Sequence, residues 1–261
     1  MNAPSLEKKT LTSKWDGLSK HLLATFYEVE RGGSEKQHWV PVENGPSVKA
    51  PLIEANMEIA LTWQSPFENA GADKGMPSLS AMLQSGALQP YVSDGGNASK
   101  TLGKFEGRTG ITKLNSMQVF SGMPPVKIQV SAIFRAWSDP KSEVEAPFEQ
   151  LMKWALPKQL AQNGAIMSML EGIKQAAAGK PLDEAAANAL LPSHAPVKIA
   201  MHYKGRLFSP LVIESIGQPL SSPINVKNGN FEGFTELLVP MTLCTLTALD
   251  RDDWTGAKQG I

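Results

Sequence analysis

The sequence predicts a mainly β chain of the α+β class with a helix packed on its sheet. Three observations carry this. Residues 126–137 (VKIQVSAIFRAW) alternate apolar and polar along their whole length, as a half-buried strand must. Further strand-like runs follow at 197–203, 207–216 and 237–249. Between them, residues 143–156 carry the best-defined helical spacing of apolar residues.

Taken in order, residues 1–20 are polar up to Trp15 and predict an N-terminal arm ahead of a single domain over 21–261. Residues 22–29 (LLATFYEV) have β-branched and aromatic character and end in the turn-forming RGGSE. Met57, Ile59, Leu61 and Trp63 alternate, which predicts a half-buried strand over 57–63. Residues 64–110 are rich in turn chemistry, with a short helix predicted from Pro77 to Leu83. A segment this long without regular structure predicts a functional insertion.

In the strand at 126–137, Val126, Ile128, Val130, Ala132, Phe134 and Ala136 share one face. Lys127, Gln129, Ser131 and Arg135 share the other. Ser138-Asp139-Pro140 ends it. The helix that follows has Ser142 and Glu145 at capping-box spacing and places Val144, Phe148, Leu151, Met152 and Ala155 in one stripe. Pro147 must lie in its first turn or kink it, and Pro157 disturbs its far end. Residues 158–195 predict a second insertion of helices and loops. In the closing strands, Gly205 permits a turn and Pro210 predicts an edge position.

Composition narrows function. Twenty-five Lys+Arg balance 25 Asp+Glu, which argues against a nucleic-acid binder driven by phosphate neutralisation. Charged residues make up 19%, below the roughly 25% of an ordinary soluble domain. With 19 prolines, 22 glycines and six tryptophans, this suits a surface covered by neighbours, because interface cores are poor in charge and rich in aromatics. A low-charge monomer with long loops has much the same composition. No signal-peptide core and no membrane-length apolar run is present, so a soluble, cytoplasmically made protein is expected. The one cysteine, Cys244, lies in an apolar stretch and reads as a small hydrophobe.

The residues that carry chemistry in other proteins form no constellation. His21, His38, His194 and His202 lack metal-ligand spacing. No serine sits in a nucleophile elbow, and Ser93–Asn97 (SDGGN) lacks a phosphate-binding pattern. Asp250, Asp252 and Asp253 beside Arg251 are better explained as a solvated strand terminus than as a cation site. Asp139, Glu143 and Glu145 suit the positive end of a helix. Phe134, Phe148 and Trp154 read as core. Trp137 falls on the polar face of its strand, and Trp15 and Trp254 sit near polar termini where subunit contact is a fair alternative. Catalytic, cofactor and metal residues are therefore expected to be none.

Residues 118–125 (QVFSGMPP) precede a long strand ending Phe134-Arg135-Ala136. Asp139-Pro140 follows, and then a helix bearing Pro147 and continuing Leu151, Met152, Trp154, Ala155, Leu156, Pro157. This stretch, within 116–160, resembles the tail-tube initiator and baseplate hub-to-tube adaptor proteins of contractile-tailed (myovirus-type) bacteriophages. Pro196-Val197-Lys198-Ile199, the strand Leu211–Ile216 and the last strand at 237–249 are similar to the end of such adaptors. The resemblance covers somewhat under half the chain, and its motifs have no catalytic logic.

The resemblance implies an antiparallel, tail-tube-like barrel or sandwich with a packed helix, its strands continued into a ring around a channel. The ring would be hexameric. Its partners would be copies of itself, the tail tube protein, the baseplate hub and neighbouring baseplate proteins, with DNA only in transient passage and no membrane. The expected location is the virion tail baseplate, after synthesis in the host cytoplasm. The insertions at 64–110 and 158–195 favour a specialised adaptor over the repeating tube subunit. Two alternatives stay open: a tube or adaptor of another contractile injection or secretion system, and an enzyme or sugar-binding module with unrecognised residues.

Overall fold

The structure, a computed structural model, describes residues 9–32, 38–64, 117–158 and 193–259. The helix predicted at 77–83 and nearly all of the second predicted insertion lie outside them. The chain divides into two compact units, Met1–Ile59 with Pro125–Ile261, and Ala60–Pro124.

The first unit is mainly β. Its strands are β1 (Thr10–Thr12), β2 (Leu23–Gly32), β3 (His38–Pro41), β4 (Ser47–Glu58), β7 (Lys127–Arg135), β8 (Lys198–Tyr203), β9 (Arg206–Ile216), β10 (Ile224–Lys227), β11 (Asn230–Phe234) and β12 (Glu236–Thr245). β5 (Thr62–Gln64) and β6 (Val119–Gly122) belong to the second unit. Eight strands form one sheet in the order β1-β4-β7-β12-β9-β8-β2-β3, and β2 also pairs with β4. The pairings therefore run in a circuit, β2–β4–β7–β12–β9–β8–β2, antiparallel at every step. β1 joins it in parallel on β4, which makes the sheet mixed.

One face of the circuit is the core. Ala24 and Phe26 of β2, Val48 and Ala50 of β4, and Ile128, Val130, Ala132 and Phe134 of β7 are buried. So are Leu211 and Ile213 of β9 and alternate residues of β12 from Leu237 to Leu243. The period-two pattern puts every second side chain on the same side, so each strand contributes one apolar row.

The helix enters differently from its predicted cap. A π-helical turn, Lys141–Glu145, runs into α1 (Ala146–Ala155), and Pro147, near the start of α1, has no N–H for the Glu143 carbonyl four residues back, which accepts from the Ser13 hydroxyl instead. The cap is Asp139, not Ser142: the Ser142 and Lys141 amides donate to its carboxylate at 3.1 and 3.4 Å. Phe148, Leu151 and Trp154 are buried in the same cluster as the sheet residues, with Met152 packed at its edge. α1 touches β4 and β9, which lie two strands apart whichever way the circuit is followed, so it bridges opposite sides of it.

Of three further expectations, two are corrected. The strand predicted at 57–63 does not exist as one element. β4 ends at Glu58, and β5 (Thr62–Gln64) begins in the other unit, with Ile59, Leu61 and Trp63 all exposed. Pro210 lies in the part of β9 flanked by β8 alone, since the β9–β12 pairing ends at Leu211, so on its other side it stands at an edge as the sequence predicts. It is tolerated because the β8–β9 register shifts between Ile199 and Met201, opposite Leu211 and Phe208, so no ladder donor is required there. The strand predicted to reach residue 249 stops at Thr245, where the side chain takes over the pairing: the Val126 amide donates to Thr245 Oγ1 at 2.9 Å. The turn at Gly205 is as the sequence suggests, with Lys204 and Gly205 at positive φ, the two-residue loop that matches strand twist.

In the second unit, the described residues include an antiparallel ribbon of β5 with β6 (Val119–Gly122). Trp63 and Phe120 pack edge-to-face across it, ring centroids 5.5 Å apart, and the Ser121 hydroxyl donates to the Thr62 carbonyl at 3.1 Å.

Candidate functional site

The face of the circuit opposite the core is a surface with a pattern. Directly opposed residues share a face, so the register reads out rows across four strands. Asn56 opposes Gln129, Gln129 opposes Thr242, and Thr242 opposes Ser215. This is an unbroken row of uncharged hydrogen-bonding side chains, about 15 Å long at roughly 4.8 Å per strand step. The next row holds Glu54, Ser131 and Pro240. The two rows floor a shallow open groove of about 450 Å³.

Charged residues flank the rows. Lys127 Nζ lies 2.7 Å from Glu214 Oε1, and this hydrogen bond and charge hold the Lys127 pKa above its ordinary value. Arg135 pairs with Glu236 directly across β7 and β12. Glu54 and Glu58 add two more carboxylates on β4. The face thus carries Glu54, Glu58, Glu214 and Glu236 against Lys49, Lys127 and Arg135, four acids to three bases on these strands. Such cross-strand ion pairs are exposed and add little stability; they set the sign of the face.

At the end of β7 stands a second cluster, which sequence reasoning did not find. Glu143, read from the sequence as a helix-terminal charge, is 4% exposed. Its carboxylate accepts from the Trp137 amide at 2.6 Å and from the Ser138 hydroxyl at 2.5 Å, with Lys14 Nζ at 3.7 Å. Burial pushes its pKa up, but those hydrogen bonds and the Lys14 charge outweigh it, and the group is held below its ordinary value. Ser13, also buried, accepts from the Arg135 amide and donates to the Glu143 carbonyl. The cluster ties β1 to the junction of β7 and the helix; it has the satisfied geometry of a structural hub.

The remaining candidates disperse. Asp250 and Asp253 form a reciprocal capping box, each accepting from the other's amide, for the short helix α2 (Arg251–Gly256). They are therefore helix caps rather than a solvated strand end. Trp254 is half-buried beneath the Arg206 guanidinium, 4.0 Å from the ring centre. Trp137 is 61% exposed, with Arg135 over its ring. His21, His38 and His194 are exposed and His202 is half-buried on β8. Among the described residues no group of His, Cys, Asp and Glu is arranged to hold a metal ion, and no helix is long and apolar enough to cross a membrane. Ser93–Asn97 lies outside the described residues. No protein-family model and no curated protein matches the chain.

Proposed function

We propose that the chain is a structural subunit of a contractile phage tail, forming a baseplate ring that joins the central hub to the tail tube and templates tube assembly. The observation that carries this reading is the pair of polar rows across β4, β7, β12 and β9, backed by an apolar core and a bridging helix. A channel wall needs such an asymmetry: its lumen side must be wet while its other side packs. We read the strand circuit as a closed, tail-tube-like barrel. The segment that resembles tube initiators forms β6 of the second unit and, in the first, β7, the π-helical turn and α1; of these, β7 supplies Gln129 and Ser131 to the polar face.

The charge of the face suits the same role. DNA adheres to surfaces that neutralise its phosphates, and a surplus of carboxylates works against that. A lumen with four acids to three bases from these strands would let DNA pass without holding it. The subunit would therefore act by shape and pairing, with no catalytic step.

The test is imaging of purified particles carrying a labelled copy of this protein, combined with native mass measurement of the isolated subunit. A label confined to the baseplate ring and a hexameric mass are expected. Tails of normal length assembled without the protein would overturn the function.

A further inference from the structure

β1 fills a gap in the wall of the circuit. Each strand has two edges, and residues 47–49 of β4 use both, pairing with β2 on one side and with β1 on the other. β7 pairs with β4 only from Leu52 onward, and the register shifts between Leu52 and Glu54, where the two strands part. β1 lies next to the departing end of β7, since Ser13, directly after β1, accepts from the Arg135 amide. Without residues 10–13, the β4 edge at Ser47–Lys49, the Arg135 amide and the Glu143 carbonyl would all lose partners.

The filling piece is nevertheless weakly tied to its own chain. It is a three-residue strand. In the segment that follows, Trp15 and Leu18 are half-buried and the other residues from Asp16 to Leu22 are exposed, and the backbone hydrogen bonds that shape it are local: Leu18 to Trp15 and Leu22 to Ser19. Gly17 at φ +83° marks a sharp turn within it. The long-range contacts sit in the plug itself, at Thr10 with Ser47, Ser13 with Arg135 and Glu143, and Lys14 with Ser138. All of them would be conserved if the plug came from another copy.

We propose that residues 10–14 are an exchangeable arm, and that in the assembled ring each copy's slot on β4 is filled by the arm of its neighbour. The proposal rests on the ring reading above. Exchange of an identical element changes no contact in the slot; it alters only the connector, so it is a low-cost route from monomer to oligomer. The connector, residues 15–22, would span roughly 28 Å drawn out, which sets the greatest distance over which the exchange can occur. Each Glu143 hub would then be completed by the neighbour's Ser13 and Lys14, linking subunit folding to ring closure.

The registered pair Thr12 and Lys49 gives the test. In a Cys244→Ser background, Thr12→Cys/Lys49→Cys is assembled, oxidised and run under denaturing, non-reducing conditions. Covalent multimers from the assembled fraction, collapsing to monomer on reduction, are the expected result. Assembled rings that yield only monomers cross-linked within one chain would overturn the exchange and leave the ring. A protein that stays monomeric at every concentration would remove both. Thr10→Cys/Ser47→Cys, at the other end of the same strand, repeats the reading should the first pair fail to fold.

Discussion

The hydroxyl of Ser13 donates to the backbone carbonyl of Glu143 at 2.8 Å, across 130 positions of sequence. The same oxygen accepts from the Arg135 amide at 2.9 Å. One buried hydroxyl thus joins the N-terminal strand, the end of β7 and the start of the helix. Such a group matters more by its absence than its presence, since a buried donor or acceptor left unpaired bears its full desolvation penalty.

Ser13→Ala is therefore expected to destabilise the isolated subunit by about 1–3 kcal/mol, because it orphans an amide and a carbonyl together. Chemical denaturation of the two proteins measures this. A loss below a few tenths of a kcal/mol would mean that water replaces the hydroxyl.

Glu143 predicts a pH dependence. Its folded-state pKa lies below the ordinary value of 4.5, so the unfolded chain takes up a proton more readily than the native one. The stability it contributes is fully present above pH 4.5 and is lost as pH falls through the lower folded value. Glu143→Gln keeps the shape and removes the titration. The wild type's stability advantage over this variant should be constant from pH 7 to about pH 5 and shrink on further acidification. Thermal melts of both proteins across that range check it, and a parallel acid response in the two would exclude Glu143 as the source.

Phe148 sits on the helix stripe, 7% exposed, with Leu151 and Trp154 beside it in the core. Phe148→Ala should cost about 3–5 kcal/mol, the usual range for truncating a large core aromatic. Denaturant titration measures it. A loss under about 1 kcal/mol would mean that the helix does not close the core.

These positions differ in how far the sequence reveals them. β7 and α1 are legible because each keeps one unbroken period against one apolar surface, as Ile128, Val130, Ala132 and Phe134 do; β8 and β9, whose burial does not alternate throughout, show instead as apolar runs on either side of the Lys204-Gly205 turn. β4 is not: Pro51 and the register shift between Leu52 and Glu54 reset its alternation, and its far half carries Glu54, Asn56 and Glu58 on an exposed face. Met57 to Trp63 misleads in the opposite sense, since its alternation continues past Glu58, where the chain leaves the sheet. β10 and β11 hide for a related reason. Their apolar residues Ile224, Val226 and Phe231 are exposed, and only the Asn228-Gly229 turn, with both residues at positive φ, announces the hairpin. The polar face is half legible: Lys127, Gln129 and Ser131 follow from one strand's period, whereas their neighbours Asn56, Thr242 and Ser215 follow only from register. The Glu143 hub has no local signature, because the residues that bury it are brought in from the N-terminal strand.

The connection between the two units yields the prediction that bears most on function. Glu58 and Lys127 are direct partners across an antiparallel pair, and the whole unit Ala60–Pro124 is inserted between them. To the first unit, the insertion is therefore the loop of a β-hairpin. Hairpin loops of about two to five residues suffice to join such strands, and Asn-Gly in place of Ala60–Pro124 leaves the five-residue loop Ile59-Asn-Gly-Pro125-Val126 between Glu58 and Lys127. Replacing Ala60–Pro124 with Asn-Gly should leave the first unit folded, with its far-ultraviolet circular dichroism still β-rich and its cooperative melt retained. If the insertion mediates contact with hub or tube, the shortened protein should enter no functional baseplate and should fail to restore tails in a phage-complementation assay. Folded protein with normal-length tails would show that the inserted unit has no part in tube initiation. An unfolded product would show instead that the two units depend on each other for stability.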